Sequence, residues 1–384
     1  MRSPLQTRSA VAWAGCLIAA FALIAGCRRQ QPATPSTTAT PENAAANIQK
    51  IQSMLQSSSA AQSAVTADAA AYAWDLFIYA NWPARTDVRG EPDLSKAFGV
   101  SGPVVWQTWK TSQDTYVAPG LTPVPWDQGP VVEPPALQAD MIDGKVLTDK
   151  NGNPVTYEVR LNQDTFGYIL SRKLYTSAGQ MQLLQKGAQP VQFPDPSMEV
   201  KAAWRLLGSG DDPTHYLTTT VQYQGVVRVL GLSGLHITSR ALPQWVWTTF
   251  EQVENPQTTG VNLLLPIPGS VQTINQQMQS ALAGTRWAYY RLNGVQTAFL
   301  QNADAPPCPH NAKATCNANT QIEANFQLSS SCITCHSLAS IGPGGKRHSF
   351  WNYKGGNQQG FVGNPPPLKS DVALDFVWSM REAK

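Results

Sequence analysis

The run Cys332-Ile333-Thr334-Cys335-His336 concentrates the most chemistry in the fewest residues. Two thiols three positions apart can add to the two vinyl groups of one porphyrin, and the adjacent imidazole can then bind the iron. Six Cys and five His in 384 residues make this run rare, with about 0.001 expected in a shuffled chain. The same Cys-x-x-Cys spacing also serves redox dithiols and half-sites for zinc. The compartment separates these chemistries. For an exported chain the motif predicts one covalent haem c on Cys332 and Cys335, with His336 as the proximal iron ligand.

A proximal imidazole needs its Nδ1–H held so that Nε2 faces the metal. Pro343, in Gly342-Pro343, is placed to offer a carbonyl for this, with a plain turn proline as the alternative. Three residues compete for the distal side of the iron. Met380 follows the motif at cytochrome-like distance but falls in a predicted helix with only four residues after it. His236 lies in the strand-like Gly234-Leu235-His236-Ile237-Thr238. His348 sits beside Lys346 and Arg347, a trio that could instead pair with a haem propionate. A Met ligand raises the potential, a His lowers it, and an open iron binds gases or substrates. Glu251 and Glu254 near Trp245 and Trp247 could line a pocket, but no base, nucleophile or metal cluster stands beside them. His215 and His310 read as surface residues, and Asp211-Asp212 as a solvated turn.

The N-terminus identifies the compartment. Arg2 and Arg8 precede an apolar stretch from Ala10 to Ile24, too short to span a membrane and right for a signal-peptide core. It ends in Ile24-Ala25-Gly26-Cys27, which resembles a bacterial lipobox, so Cys27 is the expected lipidation site. Arg28 follows it rather than the Asp that marks inner-membrane retention, which favours the outer membrane. Cys308 and Cys316 remain, and an oxidising compartment predicts a disulfide between them. The competing assignment is a zinc site of Cys308, Cys316, Cys332 and Cys335. It fits poorly, because Cys308 and Cys316 are too far apart for a zinc half-site and His336 would be left over.

These groups need a scaffold. Four segments are expected: a signal peptide at 1–26, a tether and weak helix at 27–69, an α+β domain at 70–300, and a haem segment at 301–384. A formal charge of +3 argues against nucleic acid and gives no strong steering of a charged partner. Asp68 to Tyr79 has helical apolar spacing, and Val104 to Trp109, Thr156 to Arg160, Met198 to Leu207 and Gln244 to Glu251 read as strands. Tyr216 to Ser239 reads as two strands bent near Gly231 and Gly234. Asn319 to Leu328 and Asp371 to Arg381 read as helices on either side of the motif. The fold class is thus α+β, a large antiparallel-sheet domain followed by a small, mostly helical cytochrome c-like segment.

Several stretches resemble a bacterial family of exported cytochrome c family proteins: EVKAAWRLL (199–207), GLHITSR (234–240), PQWVWTTFEQVEN (243–255), SSCITCH (330–336) and DFVWSM (375–380). The resemblance implies a single-haem segment fused to a large domain of unknown role, and it implies no substrate. The expected function is electron transfer by a lipid-anchored periplasmic c-type cytochrome with an unknown redox partner. The alternative is a haem enzyme or sensor with an open distal site over the large domain.

Overall fold

A helix that is apolar on nearly every side must be buried, and the run AAAYAWDLFIYA is such a helix. Asp68 starts it by accepting from the backbone N–H groups of Ala70 (2.9 Å) and Ala71 (3.0 Å), donors that a helix start leaves orphaned. In the computed structural model this is α3 (Ala69–Ala80), preceded by α1 (Pro41–Gln56) and α2 (Ser58–Ala67). The structure describes residues 41–299 except 140, 143–144, 147, 150–151, 224 and 256–264, together with 317–323, 327, 330–347 and 370–384. Residues Ala39–Lys384 form one compact unit, so the expected domain at 70–300 and segment at 301–384 pack as one body. No helix among the described residues is long and apolar enough to cross a membrane.

The strands follow α3. They are β1 (Lys110–Thr111), β2 (Gln138–Ala139), the separate hairpin β3 (Met141–Ile142) and β4 (Lys145–Val146), β5 (Thr156–Leu161) and β6 (Met198–Leu206). Next come β7 (Thr218–Tyr223), β8 (Val226–Ser239), β9 (Val246–Gln252) and β10 (Tyr290–Gln296). Helices α4 (Ser112–Thr115), α5 (Gln163–Ser171), α6 (Ser177–Met181) and α7 (Gly269–Ala281) intervene. The motif forms α8 (Cys332–Ser337), and β11 (Ser340–Ile341) pairs with β12 (Val372–Ala373). Eight strands build one antiparallel sheet in the order β1-β5-β6-β8-β9-β10, with β2 against β5 and β7 against β8. The α+β class expected from the sequence is therefore the observed one.

Strand residues alternate between faces, and the two faces of this sheet differ in chemistry. One carries Val200, Ala202 and Trp204 on β6, Leu235 and Ile237 on β8, Val246 and Phe250 on β9, and Leu292 on β10. It packs in one core with α1, α2 and α3, where Phe77 meets Phe250 at 4.4 Å between ring centroids and Trp74 meets it at 5.1 Å. Each such buried aromatic contributes about 1.5–3 kcal/mol. The other face carries Glu199 and Lys201 on β6, His236 and Thr238 on β8, and Trp247, Thr249 and Glu251 on β9. A face this polar ordinarily meets water. Here the segment after residue 316 covers it, and a second core joins Trp245 and Trp247 to Ile333, Leu374, Val377 and Met380.

Several local expectations are corrected. Val105–Thr108 is a 3-10 turn rather than a strand, with Gln107 Oε1 accepting from the Val104 N–H at 3.1 Å. The turn between β7 and β8 falls at Gly225, with φ 78°, and not at Gly231 or Gly234, which lie inside β8. Residues 320–322 form a turn where a helix is predicted. The predicted helix over 371–381 is β12, a turn at Asp375 and Phe376, and a 3-10 turn at Trp378–Glu382. The segment at 301–384 thus holds one α-helix, α8, among its described residues, not the mostly helical fold expected. Asp211 is not solvated: it pairs with Arg205 at 2.5 Å with its side chain only 2% exposed. His215 is half-buried, stacked on Tyr289 at 3.6 Å and bonded to Glu254 Oε1 at 2.6 Å.

Candidate haem site

Helix α8 is set in place from the sheet. Gln296 ends β10, and its Oε1 accepts from the Ile333 N–H at 3.0 Å while its Nε2 donates to Ser331 Oγ at 3.0 Å. This satisfies a donor at the start of α8, where Ser331 supplies no cap of its own. Residues three and four apart share a face of a helix. Cys332, Cys335 and His336 therefore line one side of α8 and remain half-buried, while Ile333 and Thr334 are fully buried on the other. Cys332 and Cys335 are free thiols.

The imidazole of His336 is oriented by a carbonyl, but not that of Pro343. Its Nδ1 lies 2.8 Å from the Phe376 oxygen. A carbonyl only accepts, so Nδ1 carries the proton and Nε2 keeps its lone pair. Pro343 is exposed at the head of a 3-10 turn, Pro343–Gly345. The Phe376 carbonyl is presented by a strained turn, with φ of 48° at Asp375 and 69° at Phe376. Left-handed backbone at a non-glycine residue costs about 1–2 kcal/mol. Asp375 holds the turn by accepting from the Phe193 N–H at 2.8 Å and from Arg240 Nε at 3.4 Å. Trp247 from β9 packs on His336 at 4.2 Å between ring centroids, and Trp378 meets it edge-on at 6.4 Å. The Trp378 Nε1 donates to the Cys335 carbonyl at 2.9 Å.

Electrostatics keep all three motif side chains neutral. Burial pushes the Cys335 thiol up to about 12, with Glu323 adding to the rise and Lys201 and Arg381 opposing it. Burial likewise raises Cys332 well above its ordinary value. A nucleophilic redox cysteine is held as a thiolate, and this site does the reverse. Burial pulls His336 down to about 3, the Phe376 carbonyl opposes the fall, and the charges of His236 and Lys201 add to it. A neutral imidazole with a free Nε2 is the form that binds a metal.

The polar sheet face looks toward this helix. His236 stands opposite Lys201 on β6 and Thr249 on β9. Its Nε2 is buried without a hydrogen bond, as are Thr249 Oγ1 and Asn317 Oδ1. Glu323 Oε2 lies 3.4 Å from that Nε2 but is not aligned to accept from it, and takes the Asn319 N–H at 2.7 Å instead. Buried polar atoms are nearly always satisfied, so these orphans leave a lone pair and two oxygens free for a bound group. Residues 317–320 fasten the segment to the sheet: Asn319 Nδ2 donates to the Phe250 carbonyl at 2.7 Å, and Thr320 Oγ1 donates to Glu251. Gly234 makes this possible, since a Cβ there would lie 2.7 Å from Asn319 Nδ2.

The other predicted residues divide clearly. Met380 is fully buried in the second core, with its carbonyl accepting from Gln180 Nε2 at 3.0 Å. His348, Cys27, Cys308 and Cys316 lie outside the described residues, as does His310. Among the described residues no group of three or more His, Cys, Asp and Glu side chains could hold a metal ion by itself. Sequence reasoning missed Phe376, whose backbone acts rather than its side chain, and Glu323 and Gln296, which act at a distance along the chain. Comparison with protein-family models, with curated proteins and with solved structures finds no match to this chain.

Proposed function

We propose that this protein is a c-type cytochrome of an electron-transfer system, of the kind its sequence resembles. The single observation that carries the reading is the shared face of α8. It presents two protonated thiols and a neutral imidazole whose Nδ1 is fixed by the Phe376 carbonyl. Cys332 and Cys335 would hold the porphyrin by thioether bonds and His336 would take the iron. When bound, the haem supplies a one-electron iron couple. The chain's own residues do the rest. Trp247 and Trp378 wall the imidazole and limit water, and the Phe376 carbonyl keeps the ring in one tautomer. His236 would supply the second iron ligand, a reading that its orphaned Nε2 supports. Met380 packs the core. Lipid on Cys27 would anchor the protein to the periplasmic face of a bacterial membrane, the outer one by the residue that follows.

The test is covalent haem itself. Full-length protein made with a cytochrome c maturation system should keep haem through denaturing electrophoresis, and Cys332→Ala with Cys335→Ala should abolish it. Haem retained by the double variant would place the attachment elsewhere.

A further inference from the structure

A cavity of about 70 Å³ lies between α1, the loop at residues 89–91 and the start of α5. None of its lining residues belongs to the site around His336. Its walls are aromatic: Trp109 is 1% exposed, Tyr79 is buried, and Trp126 is half-buried. Gly90 lies between the two indoles with φ 81°. A Cβ there would come 3.0 Å from Trp126 Cζ2 and 3.9 Å from Trp109 Nε1, so the missing side chain keeps the space beside both rings open. Arg89 fixes Trp126 from behind, with its guanidinium 5.7 Å from the ring centroid. Its Nε donates to the Trp126 carbonyl and its Nη1 to the Thr108 carbonyl, both at 2.7 Å, and Glu133 pairs with Nη2 at 3.3 Å. That guanidinium is therefore committed within the chain.

Other polar groups of the lining are left over. The Trp109 indole N–H donates to no described residue, although the side chain is almost wholly buried. Glu91 Oε2 accepts from Gln52 Nε2 at 3.0 Å, and Asp164 Oδ2 accepts from Asn162 Nδ2 at 3.3 Å. Among the described residues neither carboxylate forms an ion pair, and each keeps its second oxygen. An anion would meet two carboxylates here, and an apolar ligand would strand them together with the indole N–H. A plain cation would answer the carboxylates and the aromatic rings but not the indole donor. A hydroxyl answers both, because it donates and accepts. Several hydroxyls on an apolar ring frame also match an aromatic wall. At about 10–15 Å³ per water, the cavity holds on the order of five waters, the bulk of one ring and not of a chain. We propose that this cavity is a carbohydrate-binding subsite that takes a single sugar ring. The ring lies on Trp126, its hydroxyls donate to Glu91 and Asp164, and one of them accepts from Trp109 Nε1. The subsite is separate from the haem and stands whether or not the chain carries one.

Saturation-transfer NMR on the full chain tests this, with glucose, galactose, xylose and N-acetylglucosamine as probes at millimolar concentration and choline as the cationic comparison. At least one sugar should show saturable transfer to its ring protons. Glu91→Gln and Asp164→Asn keep side-chain volume at partly exposed positions, so both variants fold, and each should weaken that sugar about tenfold. Trp109→Phe, which removes the donor, should weaken it as well. Transfer to choline and to none of the sugars would overturn the proposal in favour of a cation site. Sugar binding of unchanged strength in both carboxamide variants would place the sugar elsewhere and overturn it too. No transfer to any probe would overturn it outright.

Discussion

Glu199 offers a sharp test of how the C-terminal segment is joined to the sheet. It sits on β6, faces the segment, and is 9% exposed. Ser379, in the 3-10 turn that carries Trp378, donates its hydroxyl to this carboxyl. Burial raises the Glu199 pKa from 4.5 to about 7, the Ser379 hydrogen bond lowers it somewhat, and the nearby Glu382 raises it further. The folded protein therefore binds this proton more tightly than the unfolded chain does. The resulting stability is fully present below pH about 4.5 and is lost as pH rises through about 7. A shift of that size corresponds to about 3 kcal/mol at 1.36 kcal/mol per unit. Glu199→Gln keeps the shape and removes the ionisation. Urea unfolding of both proteins between pH 4.5 and 8.5 should show similar stability at the acid end. The variant should gain over wild type as pH rises, to about 3 kcal/mol at the alkaline end. Curves for the two proteins that stay parallel across this range would refute the buried-carboxyl argument. They would also remove the reason for treating the Ser379 contact as the joint between segment and sheet.

The remaining predictions concern the metal side, the anchor and the cysteines. His236→Ala should open the iron, so that the reduced protein binds carbon monoxide in a visible titration, while Met380→Leu should bind none and cost under about 1.5 kcal/mol of stability. Carbon monoxide binding gained in the Met380 variant alone would move the distal ligand. Cys27→Ser should release the protein from membranes into the soluble periplasmic fraction, and continued sedimentation with membranes would point to another anchor. Cys308 and Cys316 should be unreactive to thiol reagents in denatured, exported protein, and the bond between them should stabilise by about 2–3 kcal/mol. Two free thiols there would contradict the pairing.

The motif and the fold class are legible in the sequence because both rest on local pattern. Cys332, Cys335 and His336 need only their spacing, and α3 needs only an acidic cap before a run of apolar residues. What the pattern misreads are segments whose shape is imposed from elsewhere. Val372, Phe376 and Met380 recur at helical spacing, yet the chain turns left-handed at Asp375 and Phe376. The side chain of Asp375 is claimed by Phe193 and Arg240 and the carbonyl of Phe376 by His336, partners that lie far along the chain. Gly234 signals a turn by type, and its actual use is to let Asn319 approach a continuous strand. Pro343 is a reasonable carbonyl donor by position, but a strained turn 40 residues from His336 occupies that place.

The size of the sheet domain is the feature that a simple electron carrier explains least. Its two faces supply a reason. The apolar face, with Phe250 and Trp204 against the helices, packs a core of its own. The polar face contributes little to that core and would be cheaper exposed to water. Instead it is covered by a segment held with hydrogen bonds from Asn319, Thr320, Gln296 and Ser379. A short segment with one six-residue helix cannot by itself exclude water from a porphyrin. Borrowing a sheet face solves this. Trp247 packs against the His336 imidazole, and His236 stands two residues along on the neighbouring strand. On the proposed haem reading the large domain would form half of the pocket, and the C-terminal segment expressed alone would be expected not to hold haem stably.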